Sequence, residues 1–216
     1  MGHLGLLAGV VGIFLQQRFG SSGAVVLTPE TGQVDYRLSQ DQRRIEHLPF
    51  TLNLDSITTL KARGFRPTAA AWVSTGGPSS PVYPNHPLRL AGHKIVFLRT
   101  VPAGFPLELL IRVGADEFLL LYQQAVYIAS SRLVSFGYEP ATQRIGFQAD
   151  REQVWLRIGE SASLAGMSIS LLDARFASQP GVVLLVSDTR FTPVIFSGFG
   201  LMLLGIALVL LARWRR

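Results

Sequence analysis

Two apolar patterns alternate along this chain and divide it into three parts. Near the carboxyl end, Pro193–Ala212 is an uncharged stretch of 20 residues, followed directly by Arg213, Trp214, Arg215 and Arg216. At about 1.5 Å of rise per residue it makes about 30 Å of helix, the thickness of a bilayer's hydrocarbon core. The pattern therefore predicts a transmembrane helix within 191–216, and the arginines place its basic tail in the cytosol. At the amino end Leu4–Leu15 is an uncharged run of 12, short of the usual 17 to 25 or so. It predicts a shorter, uncleaved membrane helix over 1–19. Two spans put both termini in the cytosol and residues 20–190 on the extracytoplasmic side of the cell membrane. Gly5 and Gly9 in the first helix, and Gly198 and Gly205 in the second, offer a glycine-lined face for helix contact. Glycine is also simply common in membrane helices.

Between these ends the period changes to two. Phe50, Leu52 and Leu54 alternate with Thr51, Asn53 and Asp55, and Val154, Leu156 and Ile158 alternate with Trp155 and Arg157, as in strands with one buried face. Further short runs rich in β-branched and aromatic residues predict strands at Ala24–Leu27, Ala70–Ser74, Lys94–Arg99, Leu107–Val113, Phe118–Tyr122, Ile145–Ala149, Ser168–Leu172 and Val182–Val186. Their separators carry Gly, Pro, Asn and Asp, as at 28–32, 76–81, 102–104, 137–140 and 179–181. The spacing, without long helical patterns between, predicts an all-β region, an antiparallel sandwich or barrel. Glu117–Val134 is apolar enough for either a helix or a bent pair of strands. The expected organisation is thus an N-terminal membrane helix (1–19), an extracytoplasmic β-rich domain (20–190) and a C-terminal membrane helix (191–216).

Composition sharpens this picture. Of 20 Lys and Arg, 3 lie in the terminal tail, while all 14 Asp and Glu lie in the middle, so the net charge of +6 partly reflects the tail. No cluster of Lys and Arg points to nucleic acid. There is no cysteine, which removes disulfides, thiol chemistry, zinc-thiolate sites and covalent c-type haem attachment by this chain itself. A middle region of about 170 residues is long enough to be held by its own core.

Candidate chemistry is sparse. The histidines are His3, His47, His86 and His93, with no His-x-x-x-His pair and no His-Glu-x-x-His, so metal-ligand spacing is absent. Gly-x-Ser-x-Gly does not occur, and Asp116-Glu117 reads as a solvated turn beside a strand. His47, His86 and His93 sit near prolines and turns and read as solvated residues. Trp72 and Trp155 read as core aromatics. These residues do not describe an enzyme.

Several segments, taken in order, nevertheless resemble a known family. His3-Leu4-Gly5-Leu6-Leu7 leads to Arg18-Phe19-Gly20-Ser21-Ser22-Gly23-Ala24-Val25-Val26-Leu27-Thr28, then Pro49-Phe50-Thr51-Leu52-Asn53-Leu54-Asp55. Tyr83-Pro84-Asn85-His86-Pro87-Leu88-Arg89-Leu90-Ala91-Gly92-His93-Lys94-Ile95 follows, and Pro180-Gly181 precedes the last apolar stretch. The series resembles the ResB (CcsB) family of cytochrome c biogenesis proteins. The departures are a proline in Tyr83-Pro84-Asn85-His86-Pro87 where that family has an apolar strand residue, and only Met1 and Gly2 ahead of the "HLG" helix, where the family carries further membrane helices.

The resemblance implies a ResB-like subunit of a membrane machine for cytochrome c maturation. It would assist haem delivery to apocytochrome c beside a ResC/CcsA-type multi-span partner in the bilayer. It also implies that His3, at the "HLG" position, is a haem ligand, since a neutral imidazole is a good axial ligand for iron. The alternative expectation is a non-catalytic, membrane-anchored scaffold or accessory subunit of another membrane complex.

Overall fold

The computed structural model describes residues 2–32, 34–39, 45–60, 68–128 and 131–214. Helix α1 (Gly2–Phe19) leads into strands β1 (Ser22–Leu27), β2 (Val34–Ser39), β3 (Ile45–Leu60), β4 (Thr68–Ser74) and β5 (Ser80–Val82). Next come β6 (Leu88–Leu90), β7 (His93–Val101), β8 (Pro106–Val113), β9 (Asp116–Leu121), β10 (Ala125–Ile128) and β11 (Ser131–Glu139). The chain closes with β12 (Arg144–Ala149), β13 (Glu152–Leu156), β14 (Ser161–Leu164), β15 (Met167–Phe176), β16 (Gly181–Asp188) and helix α2 (Thr192–Trp214). It forms two compact units. One is β-rich, Gly23–Leu88 with Ile95–Val186; the other joins Met1–Ser22, Arg89–Lys94 and Ser187–Arg216 and holds both helices.

Among the described residues three sheets carry the strands, in the orders β5-β4-β3-β2-β1-β16-β7-β6, β10-β11-β12-β13 and β14-β15-β8-β9. Both four-stranded sheets are antiparallel throughout. They share one core, in which Leu109, Ile111 and Phe118 from one sheet meet Leu133, Ile145 and Phe147 from the other. That is a sandwich, with each strand sending alternate residues inward. The ambiguous stretch Glu117–Val134 contains β9, β10 and the start of β11, so among its described residues the strand alternative holds. A two-residue loop, Ala165-Gly166, joins Leu164 to its cross-strand partner Met167. Both loop residues have positive φ, 50° and 75°, the type I′ turn that matches the strands' own twist.

The eight-stranded sheet encloses a second core of Leu27, Leu52, Val73, Ile95 and Leu184 with their neighbours. Strands β1 and β16 lie in its middle and bury both faces. Val25 and Leu27 join this core while Ala24 and Val26 join a third cluster, and Val182 and Leu184 are divided from Val183 in the same way. Burial on both faces explains why Ala24–Leu27 and Val182–Val186 read as unbroken apolar runs without alternation. Gly181 lets β16 approach β1 closely, since an added Cβ would stand 2.7 Å from the Leu27 carbonyl oxygen.

Two features of the expected β-domain need correction. Strand β13 ends at Leu156, and Ile158 is 49% exposed, because Gly159 at φ 86° turns the chain before the alternation can continue. Trp155 is 39% exposed, set edge-on to Phe136 at 5.2 Å between ring centroids. Its neighbours Val154 and Leu156 face the core, so the period of two turns the indole outward.

The helices need a larger correction. Among the described residues no helix is long and apolar enough to cross a membrane. For α1 the physical reason is length. The uncharged stretch of α1 covers 12 residues, about 18 Å, against the ~30 Å a bilayer core demands. The expected fold of a β-domain flanked by two transmembrane helices is therefore not supported. Neither is the cell-membrane location, with an extracytoplasmic domain and both termini cytosolic, that depended on those spans. The side chains of Arg213, Arg215 and Arg216, on which the tail's orientation rested, lie outside the described residues.

What the helices do is pair with one another, and glycine sets how closely. A Cβ added to Gly198 would lie 2.2 Å from the Gly9 nitrogen, and one added to Gly12 would lie 2.8 Å from Ile195 Cγ1. Backbone meets backbone where larger residues would hold helices 8–10 Å apart. Gly9, Gly12, Gly198 and Gly205 are all buried, whereas Leu7, Phe14, Phe196 and Leu203 on the outer faces are 60, 61, 71 and 62% exposed. Of the four glycines picked out in the sequence, the Gly5 side lies outside the described side chains.

Candidate binding site at the start of the second helix

The chemistry-bearing residues of the helical unit meet where β16 runs into α2. Asp188, the last residue of β16, is only 2% exposed, so its charge needs partners. Arg190 supplies them. Its Nε and Nη2 donate to Asp188 Oδ2 at 2.8 and 2.5 Å, and its backbone N–H donates to Oδ1 at 2.9 Å. Burial pushes the Asp188 carboxyl up, but the Arg190 hydrogen bonds and the charges of Arg190 and His93 outweigh it and leave the pKa below the ordinary carboxylate value. The same bonds raise the pKa of the exposed Arg190 guanidinium.

Backbone bonds tie this corner together. Asp188 N–H donates to the Ser21 carbonyl at 2.8 Å, and Gln16 Nε2 donates to the Asp188 carbonyl at 2.8 Å. Thr189 donates from both its N–H and its hydroxyl to the Gly92 carbonyl, at 2.7 and 2.8 Å. That carbonyl belongs to the loop Ala91-Gly92, which joins β6 to β7 with φ of 47° and 75°, the same turn chemistry as Ala165-Gly166. Gly92 is required twice, for its φ and because an added Cβ would stand 2.9 Å from Arg190 Cγ.

Above this corner lies a cavity of about 590 Å³, lined by Arg89, Leu90, His93, Arg190, Pro193 and Phe196 among others. Its volume falls within the range of ligand pockets, about 300–1,000 Å³. Its polar side is cationic, because Arg89 is exposed and the outer nitrogen Nη1 of Arg190 is not used by Asp188. Its apolar side is the first turn of α2.

Acid should loosen the corner. Because the folded pKa of Asp188 lies below the ordinary value of about 4, its contribution to stability is complete above that value. It is lost as pH falls through the folded pKa. The melting temperature of wild type should exceed that of Asp188→Asn at pH 7, and the gap should close as pH is lowered below about 4. Equal gaps at pH 7 and pH 3 would show that the carboxylate charge contributes nothing.

The sequence-based candidates fall out as follows. His3 lies within α1, but its side chain is outside the described residues. His47 is exposed on β3, and His86 is exposed and stacked on Tyr83 with centroids 4.5 Å apart. His93, expected to be solvated, is 7% exposed. It opens β7 rather than ending a loop, and its Nδ1 lies 2.9 Å from the Ala91 carbonyl. A carbonyl only accepts, so Nδ1 carries a proton. Glu117 is an exposed partner of Arg112 at 2.6 Å, and Trp72 donates from Nε1 to the Thr58 hydroxyl at 2.9 Å.

His47 and His86 are exposed, His86 against the Tyr83 ring, and His93 is almost fully buried with Nδ1 beside the Ala91 carbonyl. Among the described residues no group of three or more His, Cys, Asp and Glu could hold a metal ion. Sequence reasoning passed over Asp188, Arg190 and Arg89. The available signal was local: Asp188-x-Arg190 at a strand's end, one residue ahead of Thr192-Pro193, a helix-start pair. No family model matches the chain, and no curated protein matches it.

Proposed function

We propose that this chain is a non-catalytic accessory subunit of a larger assembly. Its β-rich unit acts as the scaffold and its paired helices as the attachment. The observation that carries this reading is the outer surface of the pair, where Leu7, Phe14, Phe196, Leu203 and Leu210 are each at least 60% exposed. Apolar side chains gathered in this way mark a surface that another component covers. The order of segments resembling ResB makes a cytochrome c assembly machine, with a ResC/CcsA-type partner, the assembly it serves.

No step in this reading runs through haem on the described residues. His3 alone keeps haem in it, through the resemblance, and the ratio of haem absorbance to protein in His3→Ala tests that part. An unchanged ratio removes haem ligation from this chain and leaves the accessory role standing.

The role itself is tested by deletion and by capture. A tagged full chain purified under native conditions should bring down a ResC-like protein, and deletion should lower the yield of c-type cytochromes. Deletion that leaves every c-type cytochrome at its normal level would overturn the assembly named here. A full chain that co-purifies with nothing would overturn the accessory role.

A further inference from the structure

The cavity beside Asp188 shares Phe196 with the exposed face of the helix pair, and its walls are of two kinds. On one side stand Arg89 and Arg190, and on the other Leu90, Pro193 and Phe196. We propose that it binds an amphipathic anion, a phosphate-type head held by Arg89 and Arg190 with an apolar tail laid along the first turns of α2.

The division of labour inside Arg190 points this way. Asp188 takes Nε and Nη2, which fixes the plane of the guanidinium and leaves Nη1 to donate elsewhere. A guanidinium anchored by a buried carboxylate loses little rotamer freedom when it binds an anion, and planar guanidinium groups suit phosphate oxygens. Arg89 makes no hydrogen bond or ion pair with another described residue, so the cavity carries an uncompensated positive charge. Asp188 cancels only the charge of Arg190.

The start of α2 adds little. Pro193 has no N–H to offer, and the N–H groups of Thr192 and Ile195 already donate to Thr189 and Phe191 carbonyls at 3.0 and 3.2 Å. Recognition of the head thus rests on the two arginines. Recognition of the tail rests on Phe196, which is 71% exposed at the rim of the cavity. A free phosphate compound and a lipid headgroup share the head chemistry and differ in the tail.

Titration calorimetry of the purified full chain separates them with three probes: inorganic phosphate, glycerol 3-phosphate and dihexanoyl phosphatidate below its micelle concentration. The expected result is binding of the phosphatidate at least about tenfold tighter than either tail-less probe. Arg89→Gln should weaken it by about tenfold or more, the worth of a charge-assisted hydrogen bond. Arg190→Ala also frees Asp188 and risks the local fold, so Arg89→Gln, at an exposed residue, carries the test. Phe196→Ala should remove the preference for the acylated probe while keeping phosphate binding. Phosphate or glycerol 3-phosphate binding as tightly as the phosphatidate would overturn the tail's part in recognition. Affinity unaffected by Arg89→Gln, or equal for dihexanoyl phosphatidylcholine, would overturn the site.

Discussion

Replacing Gly198 with leucine should separate the two helices. At this position the atom that would be met is backbone, the Gly9 nitrogen at 2.2 Å and its Cα at 2.6 Å, so no side chain can swing aside to make room. Overpacking a well-filled site usually costs about 1–3 kcal/mol, and a clash between two main chains belongs at or above the top of that range. The neighbouring Gly200 supplies the control. Nothing stands within 4 Å of a Cβ added there, and Gly200→Ala should stabilise α2 by up to about 1 kcal/mol through helix propensity alone. Limited proteolysis within residues 1–22 and the far-ultraviolet helical signal would report the difference. Gly198→Leu should raise cleavage and lower helicity, and Gly200→Ala should do neither. If the two variants behave alike, the glycine contact does not hold the pair.

That contact shows what could and could not be read from the residues alone. Glycines at 9 and 198 were visible as a possible face, but which helix each one meets depends on two ends of the chain 189 residues apart in sequence, and no period reports that. The apolar length of the ends was equally visible and led to membrane spans that the described helices do not support. Hydropathy records that a stretch avoids water and does not record what covers it.

The strands divide in a similar way. Phe50–Asp55 lies within β3, with Leu52 and Leu54 buried, because one face is wet and the period of two is unhidden. Strands β1 and β16 were legible only as apolar runs, since both faces are covered. The short strands β5, β6 and β14 have three or four residues each, too few for any period to stand out. The corner at Asp188 was illegible for another reason. Its parts come from Gln16, Ser21, Gly92 and Asp188–Arg190, brought together by the fold, and only Asp188-x-Arg190 before the helix start leaves a local trace in the sequence.

Phe147→Ala should produce the largest loss in the β-rich unit. Phe147 is fully buried and sits on β12, with β11 on one side and β13 on the other, so its ring is held by both sheets of the sandwich. Truncating such a phenylalanine removes its transfer free energy and leaves a cavity, together about 3–5 kcal/mol. Against a total stability of about 5–15 kcal/mol, that is a substantial fraction. Phe136 tests whether the inward face has been identified. It lies on the opposite side of the same sheet, over Gly146 and edge-on to the exposed Trp155. Its removal gives up an aromatic pair worth about 0.5–1.5 kcal/mol and part of a half-buried surface, without opening an interior void. Urea unfolding of both variants should therefore give a midpoint far lower for Phe147→Ala than for Phe136→Ala, with the slope unchanged in each. The reverse order would mean that the sandwich closes on the other face of β11, β12 and β13, and that the core lies where Trp155 and Phe136 meet.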